Sequence, residues 1–348
     1  MAYNKRLLFA PNGHKIDYLV IGGGGGAGAD MGAGGGAGGF QSTPTGSSAN
    51  PVATTTAVYR NVTFTSSSIS YGVQYLIEIG AGGVGSIAGD VSPTGDNGGV
   101  SSISSSNAYF PFFVEAIGGG AGASDYGTGN SINYNARTGS SGGGATGNGS
   151  PQKAGTDGQG FYGGSYGGNY YPGSGGGAGG PGKHNAGDGG IGKRWDILGQ
   201  EYWWAGGGSG AGYSSRAGNG GKGGGAGGAP RSSGGGNGDA SGLAWNNGTN
   251  GQDGSLNSQT NKLGGFGGAN TGGGGGGGSH YSSNNAGGNG GSGMVVLVFP
   301  KLAYSGVTTG DPIIRSGSVV GGSDLDHVAL IFTQSGTYTT PLTGSLNY

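Results

Sequence analysis

The stretch "DYLVIGGGGGAGAD", residues 17–30, decides between a nucleotide-binding fold and an all-β fold. Its glycines at 23, 25 and 28 satisfy the G-x-G-x-x-G spacing of a dinucleotide-binding loop. Such a loop needs a helix after it, because the helix N-terminus holds the pyrophosphate. Six of the eleven residues from 29 to 39 are glycine, which would penalise a helix by roughly 6 kcal/mol relative to alanine. The carboxylate expected about 20 residues later is missing too, so the sequence predicts no nucleotide cofactor.

The composition is dominated by glycine, which supplies 98 of the 348 residues. A collagen helix is excluded, because glycine must then fall at every third position, whereas residues 22–26 are consecutive glycines. Disordered chains are typically rich in charge and poor in aromatic residues. This chain is only 9% charged and is 9% aromatic, so we expect an ordered protein.

The charge balance and the termini exclude several classes of partner. The formal net charge is −1, which provides no basic field for nucleic acid or an anionic membrane surface. Cysteine is absent, so no disulfide or thiolate metal site is expected. The N-terminal apolar run "LLFA" is too short for a signal peptide, and no run approaches the length of a membrane span. We expect synthesis in the cytoplasm without a signal peptide, and no membrane insertion.

Short β signals occur at both ends of the chain, and glycine fills the middle. The N-terminal signals are β-branched or aromatic runs bounded by turn-forming residues, at 15–21, 57–64, 73–79 and 112–117. Residues 118–293 are almost wholly Gly, Ala, Ser and Asn with aromatic interruptions. Strand signals return in "MVVLVFP", "DPIIRSGSVV" and "HVALIFTQSGTYTTP" after residue 293.

A glycine-rich interior can be ordered only through its backbone hydrogen bonds. Glycine is costly to order and buries little apolar area. An extended threefold helix makes no internal hydrogen bonds, so its amides and carbonyls can pair with neighbouring helices when no Cβ separates them. We predict an all-β fold: a β-sandwich formed by N- and C-terminal strands, with a large insert of packed polyglycine II-type helices. Dihedral angles near φ −75° and ψ +145° through residues 264–278 would identify that conformation.

Several landmarks together resemble a known family. In chain order they are "IDYLVIGGGGGAG", "YLIEIGAGGVG", "GGVSSISS" leading to "VEAIGGGAG", and "GGNGGSGMVVLVFP". They resemble the glycine-rich domain of tail fibre and adhesin proteins of tailed bacteriophages. The final stretch, from 308, resembles a short β module that closes such proteins. The order of the motifs carries the resemblance, because each motif alone is low in complexity.

The resemblance implies a location, partners and a domain layout. It implies a virion protein of the tail or surface fibre that contacts other virion tail proteins and a host cell-surface glycan or outer-surface protein. A homotrimer is the family-based expectation, while an isolated tip could work as a monomer. In a trimer the C-terminal strand could pair with a neighbouring subunit, because an edge strand of that length is open to association. The layout is residues 1–14 as an N-terminal segment for virion attachment, 15–299 as the glycine-rich domain and 300–348 as a C-terminal β module.

An aromatic loop is the candidate receptor-binding site. Residues 193–204 hold three of the four tryptophans, interleaved with charged side chains, and such a mixture suits a sugar ring or a protein patch. A second aromatic group at 161–173 and a tryptophan at 245 are expected nearby. The candidate residues are Arg194, Trp195, Asp196, Glu201, Tyr202, Trp203, Trp204, Tyr170, Tyr171 and Trp245.

Three functions remain open from the sequence. The first is a phage adhesin that recognises the host surface through these aromatic loops. The second is a structural virion component of the capsid, neck or tail, in which the aromatic residues are buried or lie between subunits and supply the apolar burial that glycine lacks. The third is an ice-binding or surface-matrix protein, for which a regular face of Thr or Ala is expected but not evident.

Catalytic and metal-binding motifs are not convincing. "GAGGPGKH" at 177–184 has the spacing of a phosphate-binding loop, but His184 occupies the position of the Mg²⁺-binding Ser or Thr. The four histidines are scattered without metal-ligand spacing. No nucleophile, base and orienting carboxylate can be grouped. The sequence therefore predicts a protein that is not an enzyme and has no cofactor or metal.

Overall fold

The computed structural model is all-β, and the residues that it describes contain no α-helix. It describes residues 14–43, 57–59, 62–64, 68–87, 94–107, 111–124, 135–147, 152–167, 171–213, 217–232, 234–239, 243–252, 262–280, 285–301, 304–316 and 327–342. Most of the N-terminal segment 1–14 and Tyr170 of the candidate site lie outside these ranges. The predicted fold class, all-β, is confirmed.

Sixteen short strands form within these ranges. In chain order they are β1 (His14–Lys15), β2 (Asp17–Ile21), β3 (Phe40–Ser42), β4 (Ala57–Tyr59), β5 (Val62–Phe64), β6 (Ser68–Ile69), β7 (Gln74–Glu78), β8 (Ser101–Ser105), β9 (Phe113–Ala116), β10 (Lys193–Trp195), β11 (Tyr202–Trp204), β12 (Met294–Pro300), β13 (Val307–Thr309), β14 (Ile313–Ser316), β15 (His327–Phe332) and β16 (Gly336–Thr339).

Two five-stranded antiparallel sheets form the sandwich. The first sheet has the order β14-β15-β12-β2-β3, and the second has the order β13-β16-β7-β8-β9. Each sheet therefore combines strands from the beginning and the end of the chain, as the sequence predicts. β8 is a strand that the β signals of the sequence did not single out, because "SSISS" contains only one large apolar residue.

The two sheets differ in how many of their faces are buried. In β2, Tyr18 and Val20 point between the sheets, while Leu19 and Ile21 pack into a second apolar cluster on the outer face. β12 alternates in the same way. In the second sheet, β7 buries Tyr75 between the sheets, whereas its neighbour Leu76 is exposed. The first sheet is thus a central layer with apolar packing on both faces.

The C-terminal residues do not form a separate module. β14 and β15 extend the first sheet, and β13 and β16 extend the second sheet. The predicted boundary at 299/300 falls within β12, a strand that both sheet-forming ends of the chain share through the first sheet. β15 lies between β14 and β12, and β16 lies between β13 and β7, so neither has the open edge that was expected to pair with another subunit. Within the run 57–64, expected to form one strand, residues 57–59 and 62–64 instead pair antiparallel with each other as β4 and β5.

The glycine-rich residues form a bundle of extended segments joined by backbone hydrogen bonds. In the segment 22–28, every amide donates to another segment. The first neighbour is the segment 33–39, whose carbonyls at 39, 36 and 33 accept from the amides of 22, 25 and 28. The second is the segment 96–99, whose carbonyls at 99 and 96 accept from 23 and 26. The third is the segment 288–291, whose carbonyls at 291 and 288 accept from 24 and 27. The partner segment thus repeats every third residue, which is the period of an extended threefold helix.

The carbonyls of the same segment face three further neighbours. These neighbours are the segments 83–86, 119–122 and 275–278, and the first and last residue of each donates its amide to a carbonyl of 23–28. Six segments therefore surround residues 22–28. The segment 272–279 is surrounded in the same way, since residues 274 and 277 donate to 206 and 209, and residues 275 and 278 donate to 25 and 28. This period agrees with the expectation of polyglycine II-type helices; their dihedral angles remain a prediction.

Glycine is required in the bundle because neighbouring backbones are in direct contact. A Cβ built on Gly24 would lie much less than 3.0 Å from the carbonyl oxygen of Gly273. A Cβ built on Gly275 would lie equally close to the carbonyl oxygen of Gly288. Real Cβ atoms essentially never approach other atoms within 3.0 Å. The backbone groups of this interior can pair with one another only because no side chain separates them.

The sandwich and the bundle share one register at their junction. Ile21 of β2 pairs with Met294 of β12, and the amide of Gly24 then donates to the carbonyl of Gly291. The antiparallel pairing of the sheet thus continues into the bundle. This junction defines a sheet end of the bundle, and the residues around 30 and 280, where segments 22–28 and 272–279 terminate, define its far end.

Candidate binding site

The residues expected to form a receptor-binding loop fold into a β-hairpin. β10 and β11 pair antiparallel, with Arg194 opposite Trp203 and Trp195 opposite Tyr202. The turn between them is closed by the Gly199 amide, which donates to the Asp196 carbonyl at 2.8 Å. The amide of Trp203 donates to the Leu243 carbonyl at 2.8 Å, so the chain leading to Trp245 is attached to the same hairpin.

Two of the three hairpin tryptophans belong to the apolar core. Trp195 is 4% exposed and Trp204 is 0% exposed. Both pack with Ile197 and Leu198 against the outer face of the first sheet. The sequence led us to expect that Trp195 and Trp204 contact a receptor, whereas in this chain both side chains are buried and cover the apolar outer face of the first sheet. Among the residues that the structure describes, neither indole Nε1 has a hydrogen-bond acceptor.

The other face of the hairpin is accessible to solvent. Arg194 and Glu201 form an ion pair with Nη1 and Oε2 3.2 Å apart, and each side chain is about half exposed. Trp203 is half-buried, and the ammonium of Lys222 lies 5.3 Å from the centre of its ring. These residues form a mixed surface of aromatic area and charged groups, of the kind expected from the sequence.

An aromatic cluster lies at one side of the hairpin. Tyr202 contacts the rings of Trp204 and Trp245 with centroid separations of 5.7 and 5.5 Å, and the two tryptophans are stacked at 6.2 Å. The guanidinium of Arg315, from β14, lies 5.0 Å from the ring centre of Trp245. Tyr202 and Trp245 are partly buried. The expectation that Trp245 lies near the hairpin is confirmed.

The structure separates Tyr171, at the end of the second aromatic group, from the hairpin. Gly173, two residues after Tyr171, donates to Ala145, and Ala178 donates to Ala205, which follows Trp204. At about 3.1 Å per residue, the seven residues from 171 to 178 place Tyr171 about 20 Å from the hairpin, toward the far end of the bundle. Tyr171 is therefore not part of the hairpin site, and Tyr170 lies outside the described residues.

A cavity that the sequence did not indicate opens beside the hairpin. It has a volume of about 410 Å³ and is lined by Ala154, Gly155, Asp157, Gly158, Gly160, Phe161, Tyr162, Ala178, Gly179 and Lys193. Its walls come from a turn, two glycine segments and the first residue of β10. Such residues lie up to 39 positions apart in the chain, so only the hydrogen bonds between segments bring them together.

Lys193 is the one basic residue among the described residues that line the cavity. Its Nζ lies 5.4 Å from the ring centre of Phe40. Burial lowers the pKa of Lys193 below its usual value, because a desolvated ammonium is less stable than one in water. The carboxylate of Asp157 lies on the exposed turn, and no ion pair within 4.0 Å joins it to Lys193.

Other kinds of site find no support in the described part of the chain. Its His, Asp and Glu side chains do not gather in groups of three or more that could hold a metal ion. The same residues include no helix of the length and apolarity needed to cross a membrane.

The N-terminal strands and the larger part of the glycine bundle match a known family. The family model described as "Glycine-rich domain" matches residues 7–256, well over half of the chain. The chain belongs to the glycine-rich domain family. Comparison with curated proteins and with solved structures gave no significant match. The part of the chain matched by the glycine-rich domain includes the hairpin and the cavity, while β12–β16, which complete both sheets, follow it.

Proposed function

We propose that this glycine-rich domain protein is a bacteriophage virion protein of the tail fibre or adhesin type that attaches to the host cell surface. Its role would be binding rather than catalysis. The observation that carries the proposal is a hydrogen-bonded array, with six neighbours around a segment, that holds a hairpin whose outer face presents the half-buried Trp203 and the exposed Arg194 and Glu201. Rigid scaffolds that hold variable surface segments are typical of recognition proteins.

The virion context comes from the resemblance of the ordered glycine motifs to tail fibre and adhesin proteins. It implies contacts with other virion tail proteins, a location in the tail or surface fibre, and a homotrimer as the oligomeric state. The host ligand would be a cell-surface glycan or an outer-surface protein. The residues on the outer face of the hairpin, Arg194, Glu201 and Trp203, would contact it directly.

A structural virion component is the second candidate function. It is favoured by the burial of Trp195 and Trp204, which the adhesin reading did not expect. In this alternative the hairpin only covers the first sheet, and its charged outer face would have no ligand.

Adsorption of the fluorescently labelled full chain to a panel of bacterial strains separates the two functions. The test variant is the double substitution Arg194→Ala with Trp203→Ala, which leaves the buried tryptophans intact. The matched control is Val307→Ala, because Val307 is exposed on β13 of the other sheet. We expect strain-selective adsorption that the hairpin variant loses and the control keeps. Adsorption that is equal in all three proteins would reject the hairpin as the site, and folded protein that adsorbs to no strain would favour the structural component.

A further inference from the structure

The cavity beside the hairpin has the properties of a small-molecule site. Its volume of about 410 Å³ falls within the range of about 300–1,000 Å³ that is usual for ligand pockets. Its position is fixed firmly. Gln159, in the turn that forms one wall, accepts from the Ile117 amide at 2.8 Å and donates to the Glu115 carbonyl at 3.3 Å. That turn is therefore tied to the end of β9 at the sheet end of the bundle.

The side chains that line the cavity are available for a ligand. Phe161 and Tyr162 are 41% and 43% exposed, and within the described ranges neither ring contacts another ring or a cation. The Asp157 carboxylate accepts no hydrogen bond there, and Lys193 has no contact with a carboxylate, only the one with the Phe40 ring. A carboxylate, an ammonium and two aromatic rings thus surround one cavity, while almost every backbone amide in the adjoining bundle is already paired.

We propose that this cavity binds a saccharide that carries a carboxylate, as a uronic acid does. The apolar C–H face of a sugar ring would pack on Phe161 and Tyr162. Its hydroxyls would donate to Asp157 and accept from the amides of Gly155 and Gly158, which donate to no protein acceptor in the described structure. Its carboxylate would pair with Lys193.

Lys193 and Asp157 differ in burial, and this difference favours a ligand with a negative charge. Lys193 is the more buried of the two, and desolvation lowers its pKa, so a ligand carboxylate would stabilise its charged form. Asp157 is exposed, and water and salt screen its repulsion of the same carboxylate. A free anion without a ring would lack the aromatic contacts. The choice of a cell-surface saccharide rests on the proposed function, whereas the preference for an acidic ring rests on the cavity alone.

The test is titration of the purified full chain with three small probes, followed by NMR or calorimetry. The probes are glucuronate, glucose as its neutral counterpart, and acetate as a carboxylate without a ring. We expect glucuronate to bind with a Kd on the order of 1 mM, glucose at least about tenfold more weakly, and acetate not measurably. Raising the pH through the pKa of Lys193 should weaken glucuronate binding, because the ammonium loses its charge.

Four variants assign the contacts. Lys193→Met keeps the aliphatic stem and should weaken glucuronate at least about tenfold while leaving glucose unchanged. Phe161→Ala should weaken both sugars. Phe266→Ala is the matched control, since Phe266 is 48% exposed outside the cavity, and it should change neither. Asp157→Asn acts in the opposite direction: it should strengthen glucuronate about two- to threefold by removing a like charge, a gain that misfolding cannot produce.

Three results would overturn the proposal. They are unchanged glucuronate affinity in both Lys193→Met and Asp157→Asn, acetate binding as tight as glucuronate binding, and no chemical-shift change with any sugar up to about 50 mM. Adsorption to cells is read separately. If the protein binds glucuronate as expected but adsorbs to no cell, the saccharide site is supported and the adhesin function is rejected. If the protein adsorbs to cells but binds no sugar, the adhesin function is supported and the saccharide site is rejected.

Discussion

The sandwich and the glycine bundle fold the same backbone around opposite kinds of interior. The sandwich buries large side chains between its sheets, among them Tyr75, Phe299 and Tyr338. The bundle buries peptide groups, and a Cβ at most of its glycines would overlap a neighbouring carbonyl. One region therefore depends on the presence of side chains and the other on their absence.

The contrast shows two ways to offset the entropy lost on folding. In the sandwich, burial of apolar area is the main favourable term. In the bundle, each residue gains inter-segment hydrogen bonds, and leaving one such buried group unpaired would cost about 1–3 kcal/mol. The hairpin joins the two regions, because Trp195 and Trp204 pack on the first sheet while Ala205 begins a glycine segment.

The largest effect is expected from adding a methyl group to the bundle. Gly275→Ala places a Cβ against the Gly288 carbonyl, and the free energy of unfolding should fall by more than about 4 kcal/mol, since rigid backbone must move. The matched control is Gly180→Ala, where the nearest atom is Cγ1 of the flexible Ile191 side chain at 3.1 Å. Urea unfolding of both variants measures the difference. Equal stability of the two variants would refute the close-packed peptide interior.

The next effect concerns the side-chain core and compares two adjacent tryptophans. Trp204→Ala empties a fully buried position and should cost about 3–5 kcal/mol. Trp203→Ala removes a half-buried ring and should cost less than about 1 kcal/mol. Urea unfolding midpoints measure both. A larger loss for Trp203 would mean that the hairpin is turned over, with its outer face in the core.

The smallest effect is an alkaline loss of stability in the sandwich. Burial raises the pKa of Tyr338 to about 12, although hydrogen bonds with Ser305 oppose the shift. A raised folded-state pKa stabilises the protonated protein, so this contribution is present below pH 10 and is lost as the pH rises toward 12. A shift of about two units corresponds to about 3 kcal/mol.

Tyr338→Phe isolates this contribution. The difference in unfolding free energy between the parent and the variant should decrease between pH 9 and pH 12, as followed by urea denaturation. Using the difference cancels the other groups that titrate there, including Tyr75, whose pKa burial also raises. A difference that stays constant with pH would show that Tyr338 is not buried in the protonated form.

The strands could be predicted from sequence because their patterns are local. "MVVLVFP" became β12 with the same bounds, and the signal at 15–21 contains β2, which begins two residues later. β8 was missed because "SSISS" is almost entirely polar. It forms a strand because it pairs on both sides with the more apolar strands β7 and β9. The C-terminal strands were expected as a module, because nothing in their sequence states which sheet they join.

The candidate site was predicted only in part. The clustering of tryptophans correctly indicated an unusual segment, and Trp245 lies beside it. Clustering could not say which face of the hairpin is buried: Trp203 and Trp204 alternate between solvent and core because successive strand residues point to opposite faces. The sequence indicated Phe161 and Tyr162 only as part of the second aromatic group. It did not indicate the cavity, because Asp157 and Lys193 are ordinary residues until the glycine segments bring them beside those rings.

The sequence alone determined that this chain is all-β, that helices are excluded by its glycine content, and that its strands lead directly into glycine. Tertiary structure decided which segments are neighbours. A run such as 272–278 carries no side chains to distinguish one partner from another, so hydrogen bonds that start from the paired strands β2 and β12 set its register. It likewise decided that Trp204 is core, because only the assembled first sheet presents the apolar face that the hairpin covers.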